Sequence, residues 1–212
     1  VLVQTHTEVS GLLFDLIQKN QISKDSFILY VDDGSQDKTW DLIQMFCTKG
    51  AHARGLKLSR NFGHQNALMA GMEYVAEKTD INICIDADLQ HDIYKIPEFI
   101  SLYKSGSEIV YGVKRERQAD SFLKRASAQS FYIILQFFGA KIVYNHADFR
   151  LLSSRVLKEL LRFREVNLFL RGVIPLLGFK SSIVYYDIKP RAAGESKYSM
   201  YRMLSLALDG VT

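Results

Sequence analysis

INICIDADLQHD, residues 81–92, decides how this chain is read. Its first five residues form a short, β-branched apolar run that stops at Asp86, Ala87 and Asp88. A run of that length closed by a polar turn reads as a buried strand that delivers two carboxylates at its end. Upstream, SFILYV (26–31) runs in the same way into Asp32-Asp33-Gly34-Ser35. Between and beyond these two runs the apolar period lengthens. It predicts helices over 9–17, 38–48, 66–77 and 96–104, and further strands at 55–59 and 108–112. Strands alternating with helices imply an α/β fold with a mostly parallel central sheet flanked by helices. Such sheets bind ligands at the carboxyl ends of their strands, where both acidic clusters fall.

The second half is less regular. Residues 121–138 read as a helix with Lys124 and Arg125 near its start and an aromatic second half. Helices are also expected over 153–163, 167–177 and 198–209, with a strand at 182–188. No internal repeat or low-complexity linker interrupts the chain.

Composition narrows the function. The 212 residues suit one domain, or one domain with a small appendage; 48% are hydrophobic and 24% charged, enough to bury a core. A net charge of +4 argues against a protein dominated by nucleic-acid binding. Cys47 and Cys84 lack metal-site spacing and point to a reduced compartment. No secretory signal opens the chain, and no run of about eighteen apolar residues occurs. Both ends read as cut, so the chain is expected to be a piece of something longer.

Each motif has a plain reading and a chemical one. Asp86-x-Asp88 could be a solvated turn. At a strand end it could equally hold one hard cation together with the diphosphate that cation bridges, with Gln90 as a further oxygen ligand. Asp32-Asp33-Gly34-Ser35 is either a turn with a helix cap or a pair of which one carboxylate, Asp32 or Asp33, accepts from a nucleotide base or ribose. Arg60, in SRNFG (59–63), is either an exposed loop cation or a phosphate contact. His64 and His91 read as loop residues rather than metal ligands. Asp148, in HADFR (146–150), is either a site acid near a bound ligand or the ion-pair partner of Arg150. RAAGESKY (191–198) is either a solvated loop or a cover for an anionic ligand, with Arg191 and Lys197 as its cations.

Taken together, VDDGSQDKTW, LSRNFGHQNALMAGM, IDADLQHD, VYGVKRER, DSFLKR, ADFRLLSSRV, FLRGVIPLLGF, RAAGESKYSM and LALDGVT resemble family 2 glycosyltransferases. The likeness is strongest to the polyprenyl-phosphate (bactoprenol) glucosyltransferases, relatives of dolichyl-phosphate mannose synthase. These stretches occur in the family's order from Tyr30 onward. The resemblance implies a GT-A fold over residues 1–190, with 121–138 inserted as an interfacial helix. Residues 191–212 would form an acceptor loop and a juxtamembrane helix leading to membrane-spanning segments.

It further implies Mg²⁺ or Mn²⁺ on Asp86, Asp88 and Gln90, and a UDP-sugar donor on Asp32 or Asp33. Arg60, Lys114, Arg117 and Arg125 would face phosphates. Asp88, Asp148, Arg191 and Lys197 would serve the transfer itself. The implied acceptor is a polyprenyl phosphate, and the implied place is the cytoplasmic face of the cell membrane; self-association is allowed. The sequence departs from the family pattern in lacking the opening strand with its Pro-x-Tyr-Asn-Glu-like loop, and in Lys114 standing for an arginine. Two rival readings are a same-fold transferase with a polysaccharide or soluble acceptor, and an inactive nucleotide-sugar-binding module.

Overall fold

The computed structural model describes residues 1–50, 52–115, 146–163 and 170–188. Along them run α1 (Leu2–Gln18), β1 (Ile28–Asp32), α2 (Thr39–Lys49), β2 (Ala53–Lys57), α3 (His64–Val75) and β3 (Ile81–Cys84). Then follow α4 (Ile96–Lys104), β4 (Ile109–Lys114), β5 (His146–Ser153), α5 (Ser154–Leu160), α6 (Leu170–Leu176) and β6 (Ser181–Tyr186). The alternation expected up to Lys114 is present, with ends shifted by a few residues. Local chemistry sets several of those ends. Pro97 opens α4, where its missing N–H costs nothing. The Ser153 hydroxyl accepts from the Val156 amide at 3.2 Å and caps α5.

Strands β1 and β2 pair in parallel, and a second sheet has the order β3-β5-β4-β6. Its two faces are covered by different helices. Ile109, Tyr111, Val113 and Leu152 pack with Met72 and Val75 of α3, Val156, Leu157 and Leu160 of α5, and Leu170 and Ile174 of α6. Val110, Phe149, Leu151, Val184 and Tyr186 pack on the opposite face with Val9 and Leu16 of α1 and Ile96, Phe99 and Ile100 of α4. The strand period of two therefore sorts β4 and β5 into two cores, giving a helix–sheet–helix sandwich. Phe99 stacks on Phe149 with ring centroids 4.6 Å apart, a pair worth about 0.5–1.5 kcal/mol beyond the area it buries. A cavity of about 510 Å³ lies between β1 and β3, lined also by α1, α3 and α4.

One strand differs from the expected parallel arrangement. β5 runs antiparallel to both β3 and β4, while β4 and β6 are parallel. The reversal matters because it lays the beginning of β5 beside the carboxyl ends of β3 and β4. Arg150 pairs with Cys84 on one side and Tyr111 on the other. Asp148 lies within β5, two residues before Arg150.

The expectation of membrane-spanning anchorage at the cytoplasmic face is corrected. Among the described residues no helix is long and apolar enough to cross a membrane. The longest, α1, has 17 residues and carries Gln4, His6, Glu8, Asp15 and Gln18, whereas a span needs about 20 mostly apolar ones. The interfacial helix expected at 121–138, the helix expected at 198–209, and Arg117, Arg125, Arg191 and Lys197 lie outside the described residues.

Candidate active site

The site is built where three strand ends meet. β3 ends at Cys84, and the chain turns through Asp86, Ala87, Asp88 and Leu89. Asp88 Oδ1 accepts the Gln90 amide at 3.0 Å, which tightens the turn. Leu89 adopts φ 60, a left-handed conformation that costs a branched side chain energy, and it is buried beneath the loop. Strain of this kind collects where a loop must hold functional groups in one place.

His91 fixes the other side of this turn. Its ring is buried, stacked on Phe149 at 5.1 Å and edge-on to Tyr186 at 5.8 Å. The Asp86 amide donates to His91 Nδ1 at 3.1 Å, so the neutral ring carries its proton on Nε2. Nε2 lies 3.5 Å from Asp86 Oδ2. Burial lowers the His91 pKa, against the pull of Asp86, and keeps the ring neutral. His91 lies in the loop, as its local sequence implies, and there it braces Asp86.

Asp86 and Asp88 offer hard oxygen donors at the end of a strand, and the Asp86 side chain is 40% exposed. Among the described residues no group of three or more His, Cys, Asp or Glu is arranged to hold a metal. One or two carboxylates match how Mg²⁺ is usually held, with the rest of its shell mostly from water and substrate phosphate. The donor set therefore fits a divalent cation carried in with a diphosphate.

Asp148 is the hub of the site. Its side chain is only 5% exposed. Oδ2 accepts from His64 Nε2 at 2.9 Å and from Arg171 Nη2 at 3.0 Å, while Oδ1 accepts from Arg150 Nη2 and, at 3.4 Å, from Arg171 Nε. Burial alone would raise its pKa. The hydrogen bond from His64 and the charges of Arg150 and Arg171 outweigh that and hold the carboxyl well below the usual range. The plain reading of Asp148 is present, since it pairs with Arg150; it also acts Coulombically on His64 and Lys114. Lys114 ends β4 half-buried; burial and repulsion from Arg171 lower its pKa, while Asp86, Asp88 and Asp148 raise it.

The two loops of the first sheet are zipped together. Asp33 accepts the Phe62 amide at 2.7 Å and the Gly63 amide at 3.0 Å, so both its oxygens are engaged in holding that loop. Asp32 is buried; its Oδ1 accepts the Ser35 amide at 3.2 Å, and its Oδ2 has no hydrogen-bond partner among the described residues. Of the two acids, Asp32 is the one with an unpartnered oxygen, and that oxygen is buried. Arg60 lies exposed with its guanidinium 4.1 Å over the Phe62 ring. Asp32, Asp33, Ser35, His64 and Asp86 all line the same cavity.

Gly34 makes this zipper feasible. It has φ 69, and a Cβ there would lie 2.4 Å from the Arg60 carbonyl carbon and 2.6 Å from the Asn61 nitrogen. Gly34→Ala is expected to cost at least about 1–2 kcal/mol for the left-handed backbone alone, with the backbone clash adding to it. A lowered urea midpoint at unchanged slope checks this; a midpoint equal to that of the parent chain would show that the loops part at no cost.

Sequence reading named the Asp148–Arg150 pair but missed His64 and Arg171 as further partners of Asp148, and His91 as the brace of Asp86. Arg171 stands in FLRGVI, and no spacing rule ties it to an acid 23 residues earlier.

Comparison with known proteins agrees with this geometry. Residues 12–161 match the family model described as glycosyl transferase family 2. The whole chain is 49% identical to the uncharacterized glycosyltransferase YkoT of Bacillus subtilis, covering 63% of that protein. It is 35% identical over 87% of its length to the prophage bactoprenol glucosyl transferase homolog of Escherichia coli, covering 60% of that protein. The bactoprenol glucosyl transferase of Shigella phage SfV is 34% identical over the same share of this chain, again 60% of its own length. The chain thus spans about six-tenths of the length of these curated relatives. Its matched core, its mixed sheet between two helix layers and its strand-end carboxylates make it a member of glycosyl transferase family 2, with that family's GT-A fold.

Proposed function

We propose that the full protein transfers a hexose, read as glucose, from a UDP-sugar to a polyprenyl phosphate, with inversion and with a divalent cation. The observation that carries this reading is the match to proteins named bactoprenol glucosyl transferase across 87% of the chain, including the segment that holds the carboxylate cluster. Asp86 and Asp88, with Gln90 at the end of the turn, would hold Mg²⁺ or Mn²⁺. Such a cation relieves the negative charge that grows on a departing nucleoside diphosphate. Asp32 would accept from the nucleotide, and Lys114 and Arg60 would face its phosphates. Arg117, Arg125, Arg191 and Lys197 would supply further cations from segments outside the described residues.

The state of Asp148 supports a phosphate acceptor. A carboxylate held by two arginines and a histidine, with its pKa well below the usual range, is a poor proton acceptor. A phosphate oxygen is already anionic at neutral pH and needs placement and charge relief rather than deprotonation. An alcohol acceptor would call for a base that this carboxylate does not provide.

The test is to incubate membranes containing the full-length protein with radiolabelled UDP-glucose, UDP-galactose, UDP-N-acetylglucosamine and GDP-mannose, and then extract lipid. Label from UDP-glucose is expected in a phosphate-linked lipid fraction, lost on chelation of divalent cations. Label found only in polysaccharide or a soluble product would overturn the acceptor assignment, and labelling from GDP-mannose alone would overturn the donor.

A further inference from the structure

We propose that His64 and Arg171 form an anion subsite for the acceptor's phosphate, with Asp148 as the positioning residue that holds the two cations side by side. The inference rests on the phosphate-acceptor reading above and assigns that phosphate to named residues in the folded body of the domain.

Two helices send one side chain each to the same oxygen. His64 is the first residue of α3 and Arg171 the second of α6, and both reach Asp148 Oδ2, at 2.9 and 3.0 Å. Exposure separates their roles. Asp148 and Arg150 are buried, at 5% and 0%, whereas His64 and Arg171 are 41% and 38% exposed. The buried pair is the foundation, and the half-exposed pair faces outward.

Access then points to an anion. Arg150 and Arg171 both ion-pair with Asp148, and His64 hydrogen-bonds to it. Because Arg150 is sealed in the core, Arg171 and His64 are the members of the cluster that a ligand can reach. Asp86 acts Coulombically on His64, and Asp86, Asp88, Asp148 and Arg171 all act on Lys114, so these groups border one space. A donor diphosphate would be held through a cation on the Asp86 side. A second phosphate, which must approach the same sugar carbon, requires positive charge from another direction, and the His64–Arg171 pair supplies it. Two donors fixed beforehand by one carboxylate lose little freedom on binding. A planar guanidinium also suits a phosphate oxygen pair.

The experiment uses the full-length protein in detergent, with farnesyl phosphate as the acceptor probe, farnesol as its uncharged control and UDP with Mg²⁺ as the donor probe. Arg171→Gln and His64→Gln are each expected to weaken farnesyl phosphate binding about ten- to a hundredfold, the range for losing a charge-assisted contact. Their affinity for UDP should change less than twofold, and Arg171→Lys should recover part of the loss. A purely structural role would instead lower the melting temperature and weaken both ligands alike, which overturns the inference. Weakened UDP binding with intact farnesyl phosphate binding would assign the pair to the donor and overturn it as well. Wild-type protein that transfers sugar to farnesyl phosphate, beside variants that bind it equally well, sinks the inference alone. Wild-type protein that neither binds nor glycosylates farnesyl phosphate, while using another acceptor, sinks the phosphate-acceptor reading and this inference with it.

Discussion

Asp88→Asn is expected to lower sugar transfer at least a hundredfold while leaving the fold and its melting temperature unchanged. The separation of effects comes from what Asp88 does in each role. In the fold, Asp88 Oδ1 accepts the Gln90 amide, and an asparagine carbonyl can accept the same bond with the same shape. The strained Leu89 conformation and the His91 brace on Asp86 are then retained. In the proposed cation role, the lost negative charge removes one of the two carboxylates that would hold a hard cation. Charge stabilisation by such a cation is worth several kcal/mol, and a hundredfold corresponds to roughly 2.7 kcal/mol. Transfer assays at increasing Mn²⁺ concentration read the effect. Partial recovery at high metal would support a weakened cation site. Near-normal turnover, or full parent activity in excess chelator, would remove Asp88 from the site.

Much of this site was legible along the chain because each strand carries its own label. INICI is apolar, short and stopped by acids, and those acids lie at the strand end where the sequence puts them. The boundaries of α4 coincide with its sequence reading because Pro97 and the apolar period both mark it. What was hidden depends on pairing at long range. Nothing local in HADFR states that β5 runs against its neighbours, yet that reversal turns Asp148 into the centre of the cluster. The burial of His91 within its loop was hidden because the ring stacked on it, Phe149, lies far along the chain. Asp32 and Asp33 are equivalent in sequence. Only the approach of Phe62 and Gly63 distinguishes the acid that staples a loop from the one with an unpartnered oxygen.

Removing the hub should be the most damaging single change to stability. Asp148→Asn keeps the side-chain volume but takes away the one charge that compensates Arg150, whose side chain is 0% exposed and whose Nε and Nη1 have no hydrogen-bond partner among the described residues. Breaking one half of a buried ion pair costs about 3–5 kcal/mol, because the remaining charge stays desolvated. For a chain of this size that lowers the melting temperature by roughly 6–20 °C. The double variant Asp148→Asn with Arg150→Met removes both charges and should regain much of the loss, since replacing a buried pair by apolar atoms is often neutral. Transfer should stay impaired in the double variant, because a neutral amide with one acceptor oxygen no longer holds both Arg171 and His64 by charge. The pH dependence follows from the same contacts. Asp148 has a folded pKa below its ordinary 3.8, so its contribution is present above that value and is lost as pH falls beneath it. His64 is shifted upward from 6.5 by the hydrogen bond to Asp148, so its share is complete below 6.5 and fades as pH rises through the folded value. Parent protein should therefore lose stability on both flanks, and Asp148→Asn should flatten both. A melting profile for Asp148→Asn that kept the parent's acid and alkaline slopes, with no loss at neutral pH, would show that the charge on Asp148 does not hold this cluster together.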